Sequence, residues 1–596
     1  MCGFTGSISF EVINDDAIQK SNLHSLCRGP DNSTNIKGNE DINYNFWFNR
    51  LAIVDLSEKA NQPMVSNNLD SIIMFNGEIY NAKSLRARIS ETNYEFKTSH
   101  SDTETLFAGL ETYGISFISQ LDGQFSFFYL NKKSKKIYFA RDRVGQKPLY
   151  ISSNRENIIF ASNLKSILEL RNDKEVDVDS VNQYLAYGVN FSPRTLFTDI
   201  YKVPSANYIE IDYSNGSFET ITKEYWNLRS HSDDIKYNQD EFEQILSDSI
   251  SKRMIADVKI ANFLSGGLDS TSIIKNLNEA DYEINTFSVI VGNKKFNEKK
   301  YIQEVVNRYQ TNHQEVFINE DISNEIIYES IKCLDEPYGD PSIVPSYYLS
   351  KLISSEYKVA ISGDGGDELL GGYHRLKNFL KSKNSINNSL SGLYSIYPAL
   401  LGTGTKLKSL SSDIFESYVT YIEDLKFLNL ISNNNLSKNS KIKALSANMN
   451  YKDLLELEYK YYLADQMMFK VDRTSMASSL EVRSPLVDHK LIEYIFSHST
   501  EYTASGVQKE PLHSYLSQDF HSEFLDRPKQ GFVFDYKNWV YENFSTIKEV
   551  IDSSEITEFV DINNLYKLRN IKTRVNALRI WRVYVLASYL IEVRDL

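Results

Sequence analysis

Short apolar runs ended by turn residues dominate the first two hundred positions. "SIIMFNG" (71–77), "GQFSFFYL" (123–130) and "KIYFARD" (136–142) are β-branched or aromatic stretches that predict strands. Between them, "SDTETLFAGLETYG" (101–114) predicts a helix. Ser101 or Asp102 can cap it, acidic residues fill its first turn, and Gly114 stops it. Strands with intervening helices point to a layered α+β domain. The pattern loosens over 212–240, a polar and weakly periodic stretch that reads as a connection between domains. Beyond it, "DVKIANFL" (257–264), "INTFSVIV" (284–291) and "YKVAIS" (357–362) are compact apolar strands separated by helical stretches. Such alternation predicts a parallel sheet with helices on both faces. From about 375 onward the pattern is mostly helical, as in "YKDLLELEYKYYLADQMMFKVDRTSMASSLE". The expected organisation is a first domain over 2–212, a linker over 213–239 and a second domain over 240–596.

Composition narrows the class. A chain of 596 residues exceeds one ordinary core, so two or more domains are expected. With 41% hydrophobic and 24% charged residues it reads as globular, and 39 Tyr and 32 Phe supply apolar surface for extensive cores. The net charge of -14 argues against general binding to nucleic acid or anionic membrane. Cys2, Cys27 and Cys333 are the only cysteines, too few for a disulfide framework and without metal-ligand spacing. No signal-peptide pattern and no apolar run of about 18 residues is present, so the expectation is a cytoplasmic protein without a membrane span.

"FLSGGLDSTSIIK" (263–275) carries the first chemistry. A strand ends at Leu264; Ser265, Gly266 and Gly267 turn; a helix begins around Asp269 and Ser270. Paired glycines let the backbone approach a ligand, and the helix start offers free N–H groups and the positive end of its dipole. That is a site for phosphate, though not the Walker loop, because no Gly-Lys-Ser/Thr follows. An aspartate there repels phosphate unless a cation bridges them, so Asp269 points to Mg²⁺. "VAISGDGGDELLGGY" (359–373) repeats the strand-to-glycine pattern with Asp364, Asp367 and Glu368 among the glycines. Asp367 can share a Mg²⁺ with Asp269 if both strand ends open on the same side of the sheet.

Together, "SGGLDS" and "SGDGGDE" resemble the ATP-pyrophosphatase signature of glutamine-dependent asparagine synthetases, and the likeness continues through "MASSLEVRSPLVDH" (476–489) and "DRPKQGF" (526–532). The resemblance implies that ATP is cleaved to AMP and pyrophosphate while a carboxylate becomes an acyl adenylate, which ammonia then attacks. It places Ser265, Gly266, Gly267, Leu268, Asp269 and Ser270 on pyrophosphate, and Asp269 and Asp367 on Mg²⁺. Leu264, Val289, Ser362 and Gly363 would line the adenosine pocket. Asp364 would help ammonia attack, Lys529 would neutralise transition-state charge, and Tyr373 and Glu481 would lie near the adenylate.

The same resemblance implies a layered αββα N-terminal-nucleophile glutaminase in front of the α/β synthetase domain and its helical C-terminal part. Cys2, in "MCGFTGSISF", stands where the nucleophile would be once Met1 is removed, with its own α-amine as base. In "MFNGEIYN" (74–81), Asn76 and Gly77 look like the oxyanion pair, followed by Glu78 as a substrate contact. "NRLAIVDLS" (49–57) resembles the glutamine-clamping strand, with Arg50 facing the α-carboxylate and Leu51, Ile53 and Val54 beside it. Asp102 falls where the family binds the α-amine.

One departure concerns the loop beside the nucleophile. The family reads Arg-His-Arg-Gly-Pro-Asp there, whereas this chain reads "LCRGPDNST", with Cys27 in place of the histidine. The leading expectation is an AMP-forming ligase that makes asparagine from aspartate, glutamine and MgATP, as a homodimer. A second expectation keeps the machinery but amidates another carboxylate, such as a uronic acid of a surface polysaccharide. A third is an inactive nucleotide-binding paralogue, against which Cys2, Asn76, Asp269, Asp367 and Lys529 all stand.

Overall fold

The computed structural model describes residues 2–231, 236–291, 298–318, 323–373, 375–376, 392–409, 414–432, 437, 440–445, 449–502, 507, 509–527 and 534–596. Two six-stranded antiparallel sheets form the first domain. One sheet holds β1 (Cys2–Ser9), β2 (Asn32–Asn39), β3 (Asn43–Arg50), β8 (Tyr150–Ser153), β9 (Asn157–Ala161) and β10 (Tyr201–Lys202), in the order β10-β8-β9-β1-β3-β2. The other holds β4 (Met64–Val65), β5 (Ser71–Ile79), β6 (Gly123–Asn131), β7 (Lys136–Arg141), β11 (Asn207–Asp212) and β12 (Glu219–Glu224), in the order β12-β11-β7-β6-β5-β4. The first domain's sheet therefore continues beyond residue 212, because β12 pairs antiparallel with β11.

Period-two patterning decides which side chains meet. Phe4, Ile8, Phe46 and Phe48 of one sheet and Met74, Phe128, Leu130 and Phe139 of the other share a core between the sheets. The opposite face of β5 and β6 buries Ile73, Phe75, Phe125 and Phe127 against Leu106 and Leu110 of the helix Asp102–Tyr113. A helix Asp15–Leu23 packs on β1 and β3 from the other side. Helix, sheet, sheet, helix is the layering expected. The helix Asp102–Tyr113 is capped by Ser101, whose side chain accepts from Glu104 N, and stopped by Gly114 at φ 71°.

The second domain has one five-stranded sheet, all parallel, in the order β15-β14-β13-β16-β17. Its strands are β13 (Ile260–Phe263), β14 (Asn285–Val291), β15 (Asn312–Ile318), β16 (Val359–Ile361) and β17 (Glu481–Arg483). Both faces are covered, so strands such as Val359–Ile361 are buried throughout. The C-terminal part is helical, ending in the helix Arg574–Arg594, whose Ile580, Trp581, Tyr584 and Leu590 are buried. These join one core with Ile167, Val181 and Tyr184 of the first domain. Among the described residues no helix is long and apolar enough to cross a membrane.

Candidate active sites

Cys2 opens β1, and the antiparallel register with β3 sets it opposite Arg50. It is buried, its backbone N–H donates to Asn76 Oδ1 at 3.0 Å, and Arg28 Nε donates to its carbonyl at 3.1 Å. That nitrogen becomes the α-amine once Met1 is removed. Burial raises the Cys2 thiol above its ordinary value, so the thiol rests protonated and attack needs a base. Gly77 follows Asn76 on β5, where a Cβ would come within 2.1 Å of the Gln124 carbonyl. Only glycine allows that approach.

Cys2, Arg50, Leu51, Ile53, Val54, Gly77, Glu78 and Asp102 line a single narrow cavity of about 30 Å³. Arg50 spreads over the loop that follows it, donating to Ser57 O at 2.9 Å, to Asn61 Oδ1 at 2.8 Å and to Asp55 O. Burial pushes Asp102 up to about 6, although it accepts from Ile79 N at 3.0 Å and Thr103 N at 2.7 Å. Burial, with the charge of Asp102, lifts Glu78 well above the usual carboxylate range, and Arg483 of the second domain, 3.2 Å away, pulls the other way.

The second site forms where β13 and β16 end side by side. After β13, Gly266 takes φ 68° and lies against Ile302 N, and the helix Leu268–Glu279 begins. Ser265 and Ser270 tie the turn together: their hydroxyls are 3.1 Å apart, and Gly267 N donates to Ser265 Oγ at 3.2 Å. Leu264 donates its N–H to Phe287 O at 2.9 Å and accepts from Ser288 Oγ, which brings β14 and Val289 beside the turn. After β16, Ser362 Oγ donates to Asp364 Oδ2 at 2.9 Å. A Cβ on Gly363 would lie 2.9 Å from Asp269 Cβ, so the two loops touch. Ligands bind at such carboxyl ends of parallel strands.

Asp269 and Asp367 converge on one cation, the ammonium of Lys509, which is 2.8 Å from Asp367 Oδ1 and also bonds Asp269 Oδ2. Burial works against that charge, and the two carboxylates outweigh it, holding the ammonium well above the ordinary lysine value. Two aspartates aimed at one positive charge are a donor set that suits Mg²⁺, a hard cation with oxygen ligands. One other group among the described residues could gather ligand atoms: Asp122, Asp488 and His489. There Lys252 stands 2.8 Å from Asp122 and Arg253 2.9 Å from Asp488, so cations are already in place.

Tyr373 and Glu481 are not brought together. Tyr373 donates to Glu368 Oε1 at 2.5 Å, and the Arg375 guanidinium lies 3.9 Å from its ring centroid. Glu481 pairs in register with Val359, at the amino end of β17 and so at the opposite end of the sheet from the loops. It accepts from Arg483 Nε at 2.6 Å and from Gln124 Nε2 of the first domain at 3.3 Å. Burial opposes its charge, but opposite charges including Arg483 and Lys147 hold the carboxyl at about 2. Lys529 lies outside the described residues.

Sequence reasoning missed Lys509, Arg483 and the Glu368 partnership of Tyr373. Lys509 sits in "VQKEPL" with no motif around it, Arg483 was visible only as a member of a quoted motif, and Glu368 was named without its partner. Arg28 stood unnamed in the quoted "LCRGPDNST". It forms a buried fork on Asp472 of the second domain, at 2.8 and 3.1 Å.

A buried thiol beside an amide acceptor in a two-sheet sandwich, joined to a glycine turn at a strand end of a parallel sheet, is the arrangement of a two-site amidotransferase-ligase. Comparison with known proteins agrees. The asparagine synthase family profile matches residues 241–584 and a glutamine amidotransferase domain profile matches residues 1–226. The chain belongs to the asparagine synthase family. It is 29% identical to glutamine-hydrolyzing asparagine synthetase 1 of Bacillus subtilis, over 98% of this chain and 96% of that one. A Methanocaldococcus jannaschii protein that carries the same family name provisionally is 31% identical, over 80% of this chain and 98% of its own. Among solved structures, a glutamine phosphoribosylpyrophosphate amidotransferase from Bacillus subtilis matches 49% of this chain and 67% of its own at 16% identity and TM-score 0.28.

Proposed function

We propose that the chain converts aspartate to asparagine through a β-aspartyl-AMP intermediate, using ammonia released from glutamine at Cys2. The observation that carries the ligase half is the meeting of Asp269 and Asp367 at the ends of two neighbouring parallel strands. In the first domain, Arg50 anchors the glutamine α-carboxylate and ionised Asp102 its α-amine. The free α-amine takes the Cys2 proton as sulfur attacks the side-chain amide. Asn76 and the Gly77 N–H receive the developing oxyanion, each such donor being worth about 2.7–4 kcal/mol. Ammonia leaves, and water releases glutamate from the thioester.

In the second domain the aspartate carboxylate attacks the α-phosphorus of ATP and pyrophosphate departs. The 265–270 turn, with its backbone N–H groups and serine hydroxyls, grips the departing phosphates. Mg²⁺, when bound by Asp269 and Asp367, supplies positive charge to the phosphate oxygens. Lys509 must then give up its place between the two carboxylates, which frees its ammonium for a phosphate oxygen. Asp364, Lys529 and the Tyr373–Glu368 pair are the groups proposed to serve ammonia's attack on the adenylate. Ammonia must pass within the protein, because in water it would be protonated and lost as a nucleophile. A homodimer in the cytoplasm is part of the same reading.

The test is pyrophosphate release from MgATP and glutamine, with and without aspartate, with products identified by mass. Aspartate-dependent pyrophosphate together with asparagine is expected. Glutamate release without aspartate-dependent pyrophosphate would overturn the acceptor and leave the glutaminase standing.

A further inference from the structure

Ile53 and Val54 line the proposed glutamine pocket, and the second domain holds the 53–57 loop through apolar packing on Ile53 and through the side chain of Asp257. Asp257 lies just before β13, outside both sites. Its N–H donates to Ile53 O at 2.9 Å. Its Oδ2 accepts from Asp55 N at 2.8 Å and faces His100 Nε2 at 2.7 Å. A single carboxylate oxygen therefore ties the Arg50 loop to the segment that leads into Asp102.

What it holds is strained and specific. Asp55 is buried and takes φ 52°, a left-handed conformation that a non-glycine residue keeps only when its surroundings fix it. The fixing bonds are visible: Asp55 Oδ1 accepts from Ser57 Oγ at 2.6 Å, and Asp257 takes the backbone N–H. Asp55 in turn offers its carbonyl to the Arg50 guanidinium. The Asp257 segment is braced from behind. Arg483 donates to Arg253 O at 2.9 Å and to Ile255 O at 2.6 Å, while its own carbonyl accepts from Ser362 N at 2.9 Å.

We infer that Asp257 is a positioning residue of the glutaminase: a carboxylate lent by the ligase domain that sets the Asp55 turn, and through it the aim of Arg50 at glutamine. The inference rests on the reading of Arg50 as the glutamine anchor. Asp257 touches neither thiol nor nucleotide loop, so its loss falls on glutamine binding and leaves the ligase chemistry alone.

The experiment measures glutamate release against glutamine concentration, and pyrophosphate release with ammonium, aspartate and MgATP, on the full chain. Asp257→Ala should raise KM for glutamine about tenfold, the equivalent of one hydrogen bond. Its kcat for hydrolysis and its ammonium-supported rate should stay within about twofold of the parent. Asp257→Asn keeps an acceptor for Asp55 N and should restore most of the affinity. His100→Gln, which replaces the ring that faces Asp257 at 2.7 Å and lies 3.9 Å from Asp55 Oδ2, should raise KM by a smaller factor and serves as the reading if the alanine variant folds poorly. An unchanged KM in Asp257→Ala, or equal loss of both nitrogen routes, overturns the inference. Arg50→Ala run alongside separates the failures: if it leaves KM unmoved, the anchor reading itself is wrong.

Discussion

Cys2 and Asp102 show how one residue's surroundings set its chemistry. Burial keeps the Cys2 thiol protonated, so on the proposed reading its attack draws on the amine created by loss of Met1. Cys2→Ala should abolish glutamine-supported synthesis and retain synthesis from ammonium; survival of the glutamine route, assayed by asparagine formation, would remove the nucleophile assignment. Asp102 is a carboxylate kept at about 6 by burial, above the value near 3.9 of an unfolded chain. Between those values the folded chain holds a proton that the unfolded chain has lost. Stability therefore falls as pH rises through about 4 to 6, and the cost persists above it. Asp102→Asn should be more stable than the parent at pH 7.5, by up to about 3 kcal/mol, and equal to it near pH 3.5 in urea titrations. The same variant should bind glutamine weakly, which trades stability for function at one position. Both residues were legible as candidates through the resemblance, since Cys2 follows Met1 and Asp102 falls in "SDTE", where the family's motifs lie. Their protonation was not, because desolvation comes from neighbours brought in by the fold.

At the scale of elements, the strand-end loops do the work. "SGGLDS" and "SGDGGD" each announce a turn between strand and helix, and both readings rest on local rules for glycine and helix starts. Their meeting depends on β13 and β16 being adjacent and parallel, which no local rule fixes. Gly363 measures how close they come: an added methyl would meet Asp269 Cβ at 2.9 Å and Ser270 N at 3.0 Å. Gly363→Ala should displace Asp269 and cut aspartate-dependent pyrophosphate release about 100-fold with either nitrogen donor, the scale of an ångström's misplacement. Glutamate release at Cys2 should continue. Loss confined to the glutamine route would contradict the shared geometry. The stretch 451–481, expected as helix, is helical as far as Met476, with a π-helical segment at Glu458–Met467, and ends at the first residue of β17. That widened turn carries Tyr462 against the ring of Tyr373, at 5.2 Å between centroids. Apolar periodicity does not distinguish π from α winding.

For the whole molecule, the boundary between the domains is built from charge buried in pairs. Arg28 and Asp472 are each about 5% exposed or less in their side chains. Burial opposes the Asp472 charge, while Arg28 and Lys147 hold its carboxyl at about 2. A depressed carboxyl stabilises the fold above its unfolded value near 3.9 and loses that contribution as pH falls towards 2. Removing one partner strands the other: Asp472→Ala should cost about 3–5 kcal/mol in urea denaturation. Retention of the parent midpoint would mean that the interface does not depend on the pair. The expected linker 213–239 shows the same dependence on assembly. Its polar stretch contains β12, whose six residues are all exposed, and a strand exposed on both faces leaves no hydrophobic alternation to read.

The sequence by itself determined the two domain types and the strand-to-glycine turns, and the resemblance it carries put forward a nucleophile and a set of glutamine contacts as expectations. The domain types and the turns are local patterns, set by glycine freedom, helix capping or side-chain period. Only the tertiary structure decided that Lys509 bridges Asp269 and Asp367, that Glu368 partners Tyr373, and that Glu481 faces the first domain from the far end of the sheet. It also decided which side chains cross between domains: Arg28 to Asp472, Arg483 to Glu78, and Asp257 to the Arg50 loop. Those pairings join residues separated by hundreds of positions, and their energies arise from burial that exists only once both domains have packed.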